Sequence, residues 1–208
     1  VKNSGSVVYI VDDDVSMCRA LQLLLSSHGF RVETFGRADS FLSFKHPKAP
    51  SCLVLDIQLP DINGLALQEA MIARHLAIPI VFITGHGNIP MSVKGMKAGA
   101  VDFLPKPFTE DKLLGAVTLA VSRSKIQNKA LAEVSAIRRR VKALSPRELE
   151  VFRFVARGML SKQIAYKRGV TLQTIKVHRG RVMQKMRART VTELIRFAEL
   201  AGIKYPLA

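Results

Sequence analysis

Five polar residues stand at or just beyond the ends of short apolar runs: Asp12 and Asp13 after Val7-Val8-Tyr9-Ile10-Val11, Asp56 after Leu53-Val54-Leu55, Thr84 after Ile80-Val81-Phe82-Ile83, and Lys106 beyond Val101-Asp102-Phe103-Leu104. Carboxylates brought together repel one another and stay ionised only with a cation among them. Hard oxygen donors select Mg²⁺, which keeps several waters and takes one or two carboxylates plus a phosphate. A carboxylate is also a nucleophile toward phosphorus and forms an acyl phosphate. A hydroxyl such as Thr84 and an ammonium such as Lys106 suit the oxygens of a transferred phosphoryl group. A lone Asp after a strand is most often a turn former or helix cap, and Asp14 is read that way. The whole set, each member at a strand end, is read as a site.

Those runs must be strands for this chemistry to assemble. Apolar segments near 7–11, 31–35, 51–55, 79–83 and 101–104 read as buried strands. Amphipathic stretches near 15–28, 37–45, 65–75 and 89–98 separate them, and a further helix opens around Asp111. Such alternation predicts an α/β fold, a doubly wound five-stranded parallel sheet in the flavodoxin-like order 2-1-3-4-5. In that order strands 1 and 3 are neighbours, so Asp12, Asp13 and Asp56 converge at the switch point.

Between Leu113 and Leu144 there is no Pro, and the only Gly is Gly115. Leu113, Val117, Ala120, Ser124, Gln127, Leu131, Val134, Ile137 and Val141 recur at three- and four-residue steps. A long helix therefore runs on from the last sheet-packing helix as a linker. An interruption near Ser122–Asn128, where apolar residues thin out, stays open. Arg138-Arg139-Arg140 reads as a solvated helical face, with contact to DNA as the alternative.

From Leu144 onward the pattern is all-helical. Ser145-Pro146-Arg147-Glu148 combines an N-cap serine, proline at the first helical position and an acid at the capping-box offset. That helix should stop at Gly158. Ser161 should cap a short second helix ending near Gly169 and Thr171 a third running to about Met186; a fourth should begin near Thr190-Val191-Thr192-Glu193 and close the domain around Gly202. The expected division is 1–120, a linker at 121–142, and a four-helix domain at 143–208.

Charge separates the two halves. Residues 1–121 hold 11 Lys and Arg against 11 Asp and Glu, whereas residues 122–208 hold 21 against 5, the whole net charge of +16. That asymmetry points to a polyanion partner for the rear half. No run of about 18 apolar residues occurs, so no membrane span is predicted. The first six residues lack the regions of a signal peptide. Cys18 and Cys52 have no metal-type or disulfide-framework spacing, which fits a reducing cytoplasm. His28, His46, His75, His86 and His178 show no metal spacing and read as surface or turn residues.

A capped short helix, a turn at Gly169 and a second capped helix have helix-turn-helix spacing. At 100° per residue, Leu172, Ile175, Val182 and Met186 share the inward face of the third helix, with Met183 at its edge. Gln173, Val177, Gly180 and Gln184 lie opposite, flanked by Lys176 and Arg181. Gln173 and Val177 are candidate base readers, through adenine and the thymine methyl. Thr174 and His178 are candidate phosphate contacts. Lys162 and Arg168 read as cations facing phosphate or simply solvent.

Residues 7–120 resemble the receiver domain of two-component response regulators. The matching residues are Val11-Asp12-Asp13, Asp56 with Pro60 and Gly64, Thr84-Gly85, Ala98-Gly99-Ala100, and Phe103 with Lys106-Pro107. The resemblance implies that Asp56 accepts phosphate. It implies that Asp13, Asp56 and the Gln58 carbonyl bind Mg²⁺ directly, with Asp12 acting through water. Lys106 and Thr84 would hold the phosphoryl oxygens, the Lys106-Pro107 peptide would be cis, and Phe103 would change rotamer with Thr84. Thr84-Gly85-His86-Gly87 and Met96-Lys97-Ala98-Gly99-Ala100 are similar to the FixJ-like subgroup. Residues 143–205 resemble the LuxR-type helix-turn-helix domain, through Ser145-Pro146-Arg147-Glu148, Gly158 to Ala165, and Thr174 to Arg179; in that family Lys176 and Val177 are the strongest contact candidates. Gly180 departs from the long polar side chain frequent there.

Together these features predict a cytoplasmic, non-enzymatic response regulator that accepts and slowly loses its own phosphoryl group. Its expected partners are a sensor histidine kinase, double-stranded promoter DNA, a second copy on phosphorylation and, as a further candidate, RNA polymerase. Three rivals stand beside it. A metal-dependent phosphohydrolase using Asp56 would want an acid at position 58, which is Gln. An RNA binder would display stacking aromatics, yet Phe152, Phe154, Tyr166, Phe197 and Tyr205 fall outside the third helix. A membrane-surface binder would need a strongly apolar exposed helix face.

Overall fold

The computed structural model describes residues 5–85 and 89–203; His86 and Tyr205 lie outside them. Contacts divide the chain into two compact units, one ending at Lys129 and the other beginning at Ala130.

The first unit is a five-stranded parallel sheet in the order β2-β1-β3-β4-β5. The strands are β1 (Val7–Val11), β2 (Arg31–Phe35), β3 (Ser51–Asp56), β4 (Ile80–Thr84) and β5 (Asp102–Pro105). β1, β3 and β4 are buried along their full length, which is why they read as unbroken apolar runs rather than as alternation. Alternate residues still choose opposite faces. Val8, Ile10, Val54, Val81 and Ile83 pack under α1 (Val15–Ser27) and the start of α5 (Glu110–Lys142). Tyr9, Leu53, Leu55 and Phe82 pack under α2 (Ala38–Ser43) and α3 (Gly64–Ala73). On that side α4 (Ile89–Lys97) comes close enough that a Cβ on Gly95 would lie 3.0 Å from the Phe82 ring.

Asp14 caps α1, accepting from the N–H groups of Ser16 and Met17 at 2.8 and 3.2 Å. His46 departs from the surface reading. Its ring packs edge-on against Tyr9 with centroids 4.9 Å apart and sits beside Phe41 and Phe44. Burial lowers its pKa, against a backbone hydrogen bond to Phe41.

α5 is a single helix with no interruption at Ser122–Asn128, although apolar residues thin out there. Its apolar stripe is buried at both ends, at Leu113, Val117, Ala120 and Ser124 and again at Ile137, while Gln127 and Leu131 between them are exposed. The middle holds as helix because Ala, Leu, Lys, Gln and Glu propagate it without core packing.

In the second unit, α6 (Pro146–Ala156), α7 (Ser161–Arg168), α8 (Leu172–Met186) and α9 (Val191–Ala201) enclose a core around Phe152, Ile164, Val182, Met186 and Leu194, to which Ile137 of α5 contributes. α6 carries the expected capping box between Ser145 and Glu148. Thr171 and Thr190 cap α8 and α9. Ser161 does not cap α7: Leu160 holds that position and has no acceptor, and the Gln163 side chain instead accepts the Leu160 N–H at 2.8 Å. The Ser161 hydroxyl accepts from Arg179 at 3.2 Å. Gly169 ends α7 in the left-handed region at φ 62°, a conformation cheap only for glycine. Arg140 is not simply solvated, since it donates to the Met186 carbonyl at 3.2 Å.

Candidate functional site

Parallel pairing of β1 with β3 brings their C-terminal ends together, and three carboxylates meet there. Oxygens of Asp12, Asp13 and Asp56 all lie within 4.8 Å of one another. Asp12 and Asp56 are buried and Asp13 is exposed. Lys106, following β5, reaches across β4 and donates to Asp12 Oδ2 at 2.8 Å and Asp56 Oδ2 at 2.7 Å. The second Asp56 oxygen accepts the Gln58 N–H at 3.1 Å. Burial pushes the Asp12 carboxyl above its ordinary value, against hydrogen bonds from Lys106 and the Asp14 N–H. Burial also works to lower Lys106, but its hydrogen bonds to the two aspartates outweigh that and raise it. The ammonium is therefore fixed as a cation between two acids.

Thr84 ends β4 and is 1% exposed. It is one residue beyond Ile83, the β4 partner of Asp56, and its carbonyl accepts the Lys106 N–H at 2.7 Å. Phe103 lies opposite Phe82 in the β4–β5 register, half-buried, with ring centroids 5.9 Å apart. The Lys106-Pro107 peptide is cis. Gln58 is exposed. Behind the acid, Gly64 starts α3 so close to β3 that a Cβ on it would stand 2.5 Å from the Asp56 carbonyl oxygen. Only glycine permits that approach.

On α8, Gln173, Thr174, Lys176, Val177, Gly180, Arg181 and Gln184 are all exposed, and Val177 is an apolar side chain left 44% accessible. Ile175, Val182 and Met186 are buried, whereas Leu172, Met183 and His178 are half-buried. The face opposite the core is thus the expected one. Arg168 spends its charge on Glu150 at 3.0 Å, while Lys162 is exposed. Phe152, Phe154 and Phe197 are buried and offer no stacking platform; Tyr166, on α7, is exposed. Two features escaped the sequence. Arg179 ties α8 to α7 through Ser161. Lys185 pairs with buried Glu148 at 2.6 Å, a contact 37 residues apart that no local spacing signals.

Two family models match this chain: the response regulator receiver domain over residues 8–118, and the luxR family of bacterial regulatory proteins over residues 142–198. The chain belongs to the response regulators. This response regulator is 46% identical over 201 residues to Nodulation protein W of Bradyrhizobium diazoefficiens, covering 97% of the chain and 88% of that relative. It is 39% identical over 196 residues to the transcriptional regulatory protein FixJ of the same organism, covering 94% of the chain and 96% of FixJ. The solved structure of the response regulator StyR matches with a TM-score of 0.84 at 42% identity, covering 94% of this chain and 99% of that one. Among the described residues no helix is long and apolar enough to cross a membrane.

Proposed function

We propose that a partner histidine kinase transfers a phosphoryl group to Asp56 and that the modified regulator dimerises on promoter DNA. The observation that carries this reading is Lys106 bridging Asp12 and Asp56 at 2.8 and 2.7 Å within a cluster of three carboxylates. An Asp56 oxygen attacks phosphorus; the new P–O bond forms as the donor's bond to phosphorus breaks and its electron pair leaves with the donor. Asp13, Asp56 and the Gln58 carbonyl would hold Mg²⁺, with Asp12 behind a water. The tight grouping of hard oxygen donors fits that ion. Bound there, Mg²⁺ supplies charge neutralisation to the phosphoryl oxygens. Lys106 exchanges a carboxylate for a phosphoryl oxygen, and the Thr84 hydroxyl donates to another. Gln58 offers no proton donor of carboxylic strength, so the acyl phosphate decays slowly and the protein stores a signal rather than turning over substrate.

The added charge pulls Thr84 inward and lets Phe103 follow. Self-association then runs through α4, β5 and α5. α4 leaves Ile89, Val93 and Met96 exposed at 79%, 44% and 44%, spaced to form one stripe that a second copy can cover. Two copies of α8 would then face two half-sites. Full switching needs about 5.5 kcal/mol of preference for the active state. The cytoplasm suits the buried free thiols Cys18 and Cys52, and RNA polymerase is the natural next contact of a promoter-bound regulator.

The test is incubation with acetyl phosphate and Mg²⁺. The mass should rise by one phosphoryl group, and retention of promoter-bearing genomic fragments should strengthen. An unaltered mass together with unaltered retention would end this reading.

Gly180 gives a second test. A Cβ there would meet nothing within 4 Å, so the fold does not require glycine at this position. Gly180→Ala should add about 0.5–1 kcal/mol to helix stability yet weaken operator binding, because the bare helix surface lets bases approach. Thermal unfolding and fluorescence anisotropy read the two effects; equal or tighter DNA binding removes the close-approach role.

A further inference from the structure

Beyond the exposed face of α8, the second unit carries a cluster of cations that helix-turn-helix spacing does not explain. Arg139 and Arg140 at the end of α5, with Lys185 and Arg187 at the end of α8, line one open cleft of about 410 Å³ whose other lining residues are Ala136 and Ala143. No acid lines it. The side chains of Arg139 and Arg187 have no hydrogen-bond or ion-pair partner among the described residues.

A structural role accounts for part of this group. Cations at a helix C-terminus stabilise its dipole. Arg140 takes the Met186 carbonyl, and Lys185 neutralises Glu148. Those bonds satisfy what the end of α8 needs, and the carbonyls of Gln184 and Met183 already accept the N–H groups of Arg187 and Ala188. Arg139 and Arg187 remain unspent.

Arg187 is also held against its own preference. It terminates α8 at φ 54°, in the left-handed region where helices ordinarily place Gly or Asn. Keeping a long cationic side chain in a glycine position exchanges local strain for charge at that point, the pattern expected where the charge is used.

The length of α8 indicates for what. Its 15 residues span about 22 Å, whereas the DNA major groove is about 12 Å wide. A helix laid with Gln173, Val177 and Gly180 toward the bases carries its far end out to the phosphate wall. We propose that Arg139 and Arg187, on the rim of this cleft, form a second phosphodiester contact with duplex DNA, beyond the bases that α8 faces. It rests on the reading of α8 as the DNA-binding helix. It adds the linker end of α5 to the DNA-binding surface.

The decisive variant is Arg187→Gly in the full chain, because fold and binding should move in opposite directions. Glycine relieves the left-handed residue, so the Tm of the helical unit should rise. The phosphate contact is lost, so affinity for a random-sequence duplex should fall and the slope of log K against log salt should shrink by about 0.9. Arg139→Ala should shrink it by a similar amount, and the double variant by about twice that. Lys112→Ala, which removes an exposed charge from the first unit, should leave the slope unchanged. Wild-type slope and affinity in both arginine variants would overturn the contact and leave the cleft to another polyanion. An equal loss in Lys112→Ala would overturn it in favour of net charge alone. Failure of the wild type to bind duplex DNA would overturn the α8 reading itself, and this contact with it.

Discussion

Asp56→Asn is expected to abolish covalent phosphate uptake from acetyl phosphate and Mg²⁺, with no change in far-ultraviolet circular dichroism. The amide keeps the shape of the side chain and can still accept the Gln58 N–H, which the acid now does at 3.1 Å. It removes the nucleophilic oxygen and one of the negative charges between which Lys106 is fixed. Lys106 retains Asp12, so the ammonium stays anchored and the rim does not collapse. The fold should survive because Asp56 stands at the end of β3, outside the packed layers formed by Val54 and Leu55. Intact-mass spectrometry reads the modification directly. Undiminished labelling of the variant would assign the acceptor to another residue, with Asp12 and Asp13 the nearest carboxylates. Loss of labelling together with loss of secondary structure would show instead that Asp56 holds the sheet end together, contrary to its position there.

The convergence that makes this prediction possible was legible in the sequence because strands buried on both faces leave long apolar runs, and each run ended in a residue able to do chemistry. The sheet order then followed from alternation of strand and helix, and the structure has that order. Helix starts were legible where the capping side chain was local, as at Asp14, Ser145, Thr171 and Thr190. The exception is instructive. Ser161 looks like a cap by residue type, but its hydroxyl is engaged by Arg179 from α8, so a tertiary partner overrides the local preference. The continuity of α5 was harder to read because its middle relies on helix propensity and not on a buried stripe. The cation cluster at the ends of α5 and α8 was illegible for a different reason: Arg139 and Arg187 are 48 positions apart, and tertiary contacts bring those helix ends together, through Ile137 and Leu144 in the helical core and the hydrogen bond from Arg140 to the Met186 carbonyl.

That same junction gives the second large effect. Glu148→Ala should destabilise the helical unit by about 2–3 kcal/mol, combining loss of a helix cap with loss of a buried ion pair. Glu148 is 4% exposed. One of its oxygens accepts from Lys185 at 2.6 Å and from the Ser145 N–H at 2.8 Å, so it joins the start of α6 to the end of α8. Lys185 remains 42% exposed and can rehydrate when its partner goes, which keeps the cost below that of stranding a fully buried charge. Glu148→Gln preserves an acceptor for Ser145 and should cost about 1 kcal/mol. The Lys185 hydrogen bond, aided by the Ser145 N–H, lowers the Glu148 carboxyl from 4.5 to about 2. For an acid held below its ordinary value, the stabilisation is complete above pH 4.5 and is lost as the pH falls through about 2. The gap between wild type and Glu148→Gln should therefore be constant near neutrality and close only in that acid window. Urea denaturation across pH, with hydrogen exchange on α6 and α8 peptides to isolate this unit, reads both quantities. A gap that persisted unchanged to pH 2 would mean that packing, not the ion pair, holds the two helix ends together.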